Sequence, residues 1–263
     1  MAHSPPGNQL RERVQDGGVA VGVLDSTYSP TLVEFYGELG VDFVWLDFEH
    51  GGPDPWDGPT VENLLRAAER TGVDLLVRLP DRDPSLVRKA LDLGVRNVFL
   101  PRVETAAEVE AAVKASRFEY DGGPGDRGLG SPRARRWGLA EDYVAREDRE
   151  KMVGATIETR EAVENIDDIL AVPELGFVFL GPLDLSVAYG HPGELDHPEV
   201  QEAVETARAA AVDAGVPVGG LGFGTEDASE KAEDGYQILN LGSTTGALEE
   251  VVSGWLEAFD GPE

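Results

Sequence analysis

Cysteine is absent from the 263 residues, and that single absence removes a disulfide framework, a thiolate nucleophile and any thiolate metal site. Any metal bound here must sit on oxygen or nitrogen. Basic residues are scarce as well: 22 Lys and Arg stand against 50 Asp and Glu, for a formal net charge of -28. So acidic a chain is a poor partner for nucleic acid or an anionic membrane. No apolar run approaches the ~20 residues of a spanning helix. The opening MAHSPPGNQL has neither a basic segment nor an apolar one of the kind that leads secretion, which points to the cytoplasm.

The acids are spread along the chain rather than gathered in a tail. That distribution favours a solvated, salt-adapted surface, a halophile signature, over an acidic interaction segment.

Short β-branched runs alternate with Ala/Glu-rich amphipathic segments from Val19 onward, the pattern of repeated βα units. Eight strands are expected: Val19 to Leu24, Phe43 to Asp47, Asp74 to Leu79, Asn97 to Pro101, Val153 to Ile157, Phe177 to Leu180, Val216 to Gly219 and Gln237 to Leu241. Helices are expected over Pro59 to Arg70, Pro84 to Leu93, Ala106 to Ser116, Arg160 to Leu170 and Pro198 to Ala214. Eight units in this length predict one α/β domain over 1–263, a closed (β/α)8 TIM barrel, with 1–17 as an N-terminal helix or a partly disordered lead. No G-x-G-x-x-G follows the first strand, which weakens a dinucleotide-binding alternative. The long irregular stretch at 118–138 carries six glycines and four arginines and is expected to rise over the catalytic face. Its Arg127, Arg133, Arg135 and Arg136 suit either an acidic small molecule or internal ion pairing.

Barrel enzymes build their sites at the C-terminal ends of the strands. Polar residues fall there on five consecutive strands: Asp47, Glu49 and His50 after the second, Arg78 on the third, Arg102 after the fourth, Glu158 after the fifth and Asp184 after the sixth. Together they supply a base, a cation and hard oxygen ligands. Carboxylates without thiolates and with few histidines suit Mg2+ or Mn2+, with Co2+ as a further candidate. A Schiff base needs a lysine at a strand end, and Lys89, Lys114, Lys151 and Lys231 all lie elsewhere. Of the four histidines, His3 is in the lead, His191 and His197 flank the GHPGELDHP turn as loop or capping residues, and His50 alone sits beside a strand end and acids.

These residues resemble the HpcH/HpaI aldolases, metal-dependent class II pyruvate aldolases of the phosphoenolpyruvate/pyruvate superfamily. The resemblance spans nearly the whole chain through VDFVWLDFEHG (Val41 to Gly51), LLVRLPDRDP (Leu75 to Pro84), KALDLG (Lys89 to Gly94), LPRVETAAE (Leu100 to Glu108), DRGLGSPRA (Asp126 to Ala134), IETREAVEN (Ile157 to Asn165) and FLGPLDLS (Phe179 to Ser186). It implies reversible cleavage of a 4-hydroxy-2-keto acid, of the 2-keto-3-deoxy sugar-acid or 4-hydroxy-2-oxoheptanedioate type, to pyruvate and an aldehyde. By resemblance, Glu158 and Asp184 hold the metal, His50 is the catalytic base and Arg78 stabilises the enolate, while Gly181, Pro182 and Leu183 line the pyruvate pocket. Asp92 matches an acid that raises the basicity of the histidine, with Asp47 and Glu49 as alternatives in the same chain.

Asp92 lies near the end of the helix after strand three, at the opposite face of its own barrel. The match therefore implies a neighbouring subunit, in keeping with the hexamers that similar proteins form. Thr156 departs from the pattern, because relatives often carry a substrate-contacting glutamine there. Rival readings are a citrate-lyase-β-like acyl-CoA lyase acting on malyl- or citramalyl-CoA, and a non-catalytic barrel that binds a keto acid.

Overall fold

The structure, a computed structural model, describes residues 7–54 and 56–259; His3 lies outside them. In chain order the elements are α1 (Gln9–Gln15), β1 (Ala20–Leu24), α2 (Pro30–Leu39), β2 (Phe43–Asp47), α3 (Gly58–Thr71), β3 (Asp74–Arg78), α4 (Pro84–Leu93), β4 (Asn97–Leu100) and α5 (Ala106–Ser116). There follow α6 (Tyr143–Glu150), β5 (Met152–Ile157), α7 (Arg160–Glu164), α8 (Ile166–Leu170), β6 (Phe177–Leu180), α9 (Pro182–Ala188), α10 (Pro198–Ala214), β7 (Val218–Leu221), α11 (Thr225–Glu233), β8 (Tyr236–Ser243) and α12 (Thr244–Ala258). These eight strands pair in parallel and β1 closes onto β8, so the predicted (β/α)8 barrel is the fold; a small antiparallel pair, Glu119–Tyr120 with Gly123–Pro124, lies outside it.

Two apolar layers hold it together. Outward side chains such as Val44, Val77, Val98 and Leu180 pack under the helices. Inward ones, including Phe43, Trp45, Leu76, Phe99, Phe177 and Phe179, fill the barrel itself. Full burial of each large side chain contributes about 1.5–3 kcal/mol. Room for the aromatics is made by glycine: a Cβ on Gly154 would run into the Phe177 ring. Within the N-terminal segment α1 runs from Gln9 to Gln15, and its Leu10 and Val14 join the inner layer from below. Leu10 donates its N–H to Asp74 Oδ2 at 2.7 Å.

Several elements differ from expectation for identifiable reasons. Strand seven was expected over Val216 to Gly219 but begins at Val218. Pro217 has no N–H to give, and only its carbonyl joins the sheet, accepting from Val178 N at 2.9 Å. The helix expected over Arg160 to Leu170 breaks at Asn165, whose carboxamide Nδ2 donates to Glu104 O at 2.8 Å.

The largest correction concerns 118–138, which does not rise over the catalytic face. It follows α5, not β4, so the chain has already returned to the opposite rim. There Arg127 bonds Tyr143 Oη at 2.9 Å and Glu147 at 3.2 Å, and Arg133 reaches Leu93 O at 3.1 Å and Glu69 at 2.8 Å. These two arginines serve internal ion pairing.

Lys151 is buried in the same layer, paired with Glu147 at 2.7 Å. Burial pushes its ammonium down to about 8. Among the described residues no helix is long and apolar enough to cross a membrane.

Candidate active site

Neighbouring strands in register place the first group. Asp47 and Arg78 are direct partners across β2 and β3, so their side chains emerge together at the C-terminal rim. Arg78 grips Asp47 with Nε at 2.8 Å and Nη2 at 2.6 Å, while Nη1 meets Glu49 at 3.0 Å. The guanidinium also lies over the Trp45 ring, 5.3 Å from its centroid.

Such a fork fixes a planar cation far better than a single point charge does. Burial drives the Asp47 carboxyl up, yet the Arg78 bonds and charge outweigh it and hold it below the ordinary value. Glu49 ends up raised, because burial exceeds the pull of Arg78 and His50.

His50 follows in the Glu-His-Gly-Gly turn, its side chain 64% exposed and its Nε2 3.6 Å from Glu49. Gly52 at φ 84 turns the chain in a left-handed conformation, and a Cβ there would strike the Tyr28 ring. The turn keeps His50 at the mouth rather than in the core.

Opposite stands the second group. Glu158, just past β5, is almost wholly buried, and its Oε1 accepts the backbone N–H of Arg102 at 2.5 Å. Arg102 sits at φ 49, a conformation unusual for a side-chain-bearing residue, which turns that N–H toward the carboxylate. Burial first, and then the neighbouring Glu49 and Asp184 carboxylates, push Glu158 up to about 7.

Asp184 comes from the first turn of α9, after the Gly181-Pro182 entry. Gly181 lets the chain pass close to Glu158: an added Cβ would lie 2.9 Å from Glu158 Cβ and 3.0 Å from its Oε2.

A mouth cavity of about 420 Å³ is lined by His50, Arg78, Thr156, Glu158, Gly181, Pro182, Leu183 and Asp184 together, with Asp47 at its edge. The predicted set is thus brought to one place, with one exception. Asp92, at the end of α4, faces Arg127 at 3.4 Å on the opposite rim and is not brought to the His50 of its own chain. Burial raises its carboxyl despite Arg127.

A larger groove of about 990 Å³ runs between α10 and α11 and holds none of the His50, Arg78, Glu158 and Asp184 set. Volume is a poor guide here; the converging charges mark the mouth cavity.

The Glu158 and Asp184 carboxylates, close enough to repel one another at the cavity, form a donor set that suits a divalent cation. The space kept open by Gly181 beside Glu158 Oε2 fits the same purpose. His191, His197 and Glu199 also bring three ligand atoms within 4.8 Å of one another. That group satisfies itself: His191 Nε2 and Glu199 Oε2 share a hydrogen bond of 2.8 Å, and His197 Nδ1 caps α10 by accepting Glu199 N at 3.3 Å. The capping expectation for His197 holds.

Sequence reasoning did not find Trp45, Asn240 or Ser243, which line the same cavity. Asn240 carried a legible signal, a carboxamide set directly between the apolar Ile238-Leu239 pair and Leu241 of β8. The backbone contact from Arg102 left no side-chain signature at all.

A family model described as HpcH/HpaI aldolase/citrate lyase matches residues 23–250. The chain is 32% identical over 242 residues to a 5-keto-4-deoxy-D-glucarate aldolase of Salmonella newport (strain SL254), covering 92% of each chain. It superposes with a TM-score of 0.89 on the crystal structure of an HpcH/HpaI aldolase/citrate lyase family protein from Burkholderia cenocepacia J2315, at 31% identity over 95% of this chain and 98% of the other. An HpcH/HpaI aldolase from Desulfitobacterium hafniense DCB-2 superposes with a TM-score of 0.86 at 28% identity, over 96% and 97% of the two chains.

Proposed function

The chain belongs to the HpcH/HpaI aldolase/citrate lyase family and is a lyase, and from that premise we propose that it cleaves a 4-hydroxy-2-keto acid into pyruvate and an aldehyde. The substrate is of the 2-keto-3-deoxy sugar-acid or 4-hydroxy-2-oxoheptanedioate type, in keeping with the glucarate-derived substrate in the name of the Salmonella relative. One observation carries the reading: the carboxylates of Glu158 and Asp184, the Asp47-bound guanidinium of Arg78 and the imidazole of His50 surround a single cavity whose lining includes no lysine.

The family is divalent-metal-dependent. Glu158 and Asp184 are the residues that would hold the ion, Mg2+ or Mn2+ with Co2+ also compatible, since hard oxygen donors suit all three. When bound, the ion would supply a Lewis acid that polarises the keto acid.

The remaining steps belong to the chain. His50 takes the proton of the 4-hydroxyl as the C3–C4 bond breaks and the aldehyde carbonyl forms. The electron pair of that bond passes through C3 to the keto oxygen, giving the enolate of pyruvate. Arg78, with N–H groups to spare beyond those given to Asp47 and Glu49, stabilises that negative charge. A proton returned to C3 completes pyruvate. Glu49 orients the base, Thr156 and the Gly181-Pro182-Leu183 segment shape the floor and wall, and Asp92 of a neighbouring subunit supports His50.

Assembly is part of the proposal. Helix α12 carries Leu248, Val251, Trp255 and Leu256 on its surface, followed by an exposed Phe259, with Trp255 67% and Leu256 72% exposed. An apolar face of this kind calls for a partner, and Asp92 reaches a histidine only between copies. Light scattering is expected to give a homo-oligomer, a mass near six times the 28.2 kDa chain if the hexameric likeness holds. Trp255→Asp should lower it; a wild-type monomer would refute the shared site.

Substrate class is tested by following pyruvate from free 4-hydroxy-2-keto acids and, separately, cleavage of malyl- and citramalyl-CoA. Turnover of the free acids alone is expected. Turnover of the CoA esters alone would move the chain to the citrate-lyase-like branch, and pyruvate binding without turnover of either would leave a non-catalytic barrel.

A further inference from the structure

Resting on the cleavage just described, we propose that Asn240 reads a hydroxyl group on the aldehyde-derived half of the substrate, making it a specificity-determining residue. Asn240 is 5% exposed, its Oδ1 has no hydrogen-bond partner, and it lines the cavity that holds Glu158 and Asp184. Its backbone is otherwise engaged, the carbonyl accepting Gly222 N at 2.8 Å. A buried polar atom left unpaired is unfavourable and stays in a fold when a ligand or water completes it.

Two more atoms around the same cavity share this condition, Thr156 Oγ1 and Trp45 Nε1. Trp45 is on β2, Thr156 on β5 and Asn240 on β8, so they divide the barrel ring into three near-equal arcs. The floor is therefore polar on three sides amid Leu24, Phe179 and Leu221.

Position separates the roles. The keto-acid end is anchored by Arg78, Glu158 and Asp184, on or just after β3, β5 and β6. Asn240 and Ser243 line the same cavity from β8, on the other side of the barrel ring, which leaves that side to the rest of the substrate. Chemistry narrows the ligand. A carboxamide both donates and accepts, and so does a hydroxyl, whereas a methyl or methylene does neither and would leave the amide unpaired. The match holds whichever way the carboxamide is turned. Discrimination built on a buried hydrogen bond is far larger than hydrophobic fit alone provides.

Glycolaldehyde and propanal, in which a hydroxyl replaces a methyl, provide the test in the condensation direction with pyruvate, metal and molar salt. The readout is the ratio of their kcat/KM values, compared between wild type and variants so that intrinsic aldehyde reactivity cancels. Asn240→Leu is expected to cut the ratio by about 10- to 100-fold. Asn240→Ser, which puts a donating and accepting hydroxyl in place of the carboxamide and removes bulk, should retain part of the preference and guards against a leucine variant that does not fold. An unchanged ratio in a folded, active Asn240 variant would overturn the inference and leave the lyase reading intact. No condensation by the wild type with either aldehyde would overturn that reading, and this inference with it.

Discussion

Replacing Glu158 with glutamine is expected to lower pyruvate release by about a thousandfold while the barrel stays folded. The two consequences have different physical sources. Glutamine keeps the shape of the side chain and an oxygen to accept the Arg102 N–H at 2.5 Å. It removes a carboxylate that burial and the neighbouring Glu49 and Asp184 already disfavour, so stability should hold or rise slightly. What disappears is half of the proposed anionic donor set. Lewis-acid stabilisation is worth several kcal/mol, and ~4 kcal/mol corresponds to about 10³ in rate. Circular dichroism and a melting curve establish the fold, and a pyruvate assay establishes the rate. A variant that unfolds would show the carboxylate to be structural, and one that keeps its activity would remove it from the mechanism.

Arg78→Lys is the second large effect, a loss of about 10²- to 10³-fold in kcat with a smaller change in KM. Lysine retains the charge but not the plane. The wild-type cation is fixed by three contacts, two to Asp47 and one to Glu49, and an ammonium cannot satisfy both carboxylates while facing a developing enolate. Stability should fall as well. Asp47 is depressed in the fold because Arg78 outweighs the cost of burial, so its contribution is present above the ordinary carboxylate range and is lost as pH falls through the lowered value. In Arg78→Lys that contribution shrinks, and acid unfolding begins at higher pH. Kinetics matching wild type would show that the guanidinium fork serves only to fasten Asp47.

Much of this site was legible because barrels obey a positional rule. Asp47, His50, Arg78, Glu158 and Asp184 could be read as a set since each follows an apolar strand, and parallel strands in register deliver such residues to one rim. Helices α4, α5 and α10 kept their expected ends because Asp83, Thr105 and His197 cap them and Pro or a capping box opens them.

Tertiary facts were harder to read. Asn240 reaches the cavity only because β8 closes onto β1, and its missing partner is visible only in three dimensions. Arg102 acts through a backbone amide, which every non-proline residue possesses. The 118–138 segment was misplaced because glycine and arginine content suggests a lid, whereas its position after α5 consigns it to the other rim. Asp92 was the reverse case, since helix geometry alone kept it from its own His50.

The central claim is that cleavage depends on a divalent cation held by the Glu158 and Asp184 carboxylates. Its most direct test is pyruvate release from a free 4-hydroxy-2-keto acid by wild type and Asp184→Asn, each stripped with a chelator and then titrated with Mg2+ or Mn2+. Wild type should lose activity on stripping and regain it on titration, while Asp184→Asn should regain little at the same metal concentration. Full activity of the stripped wild type, or equal recovery of both proteins, would contradict the account.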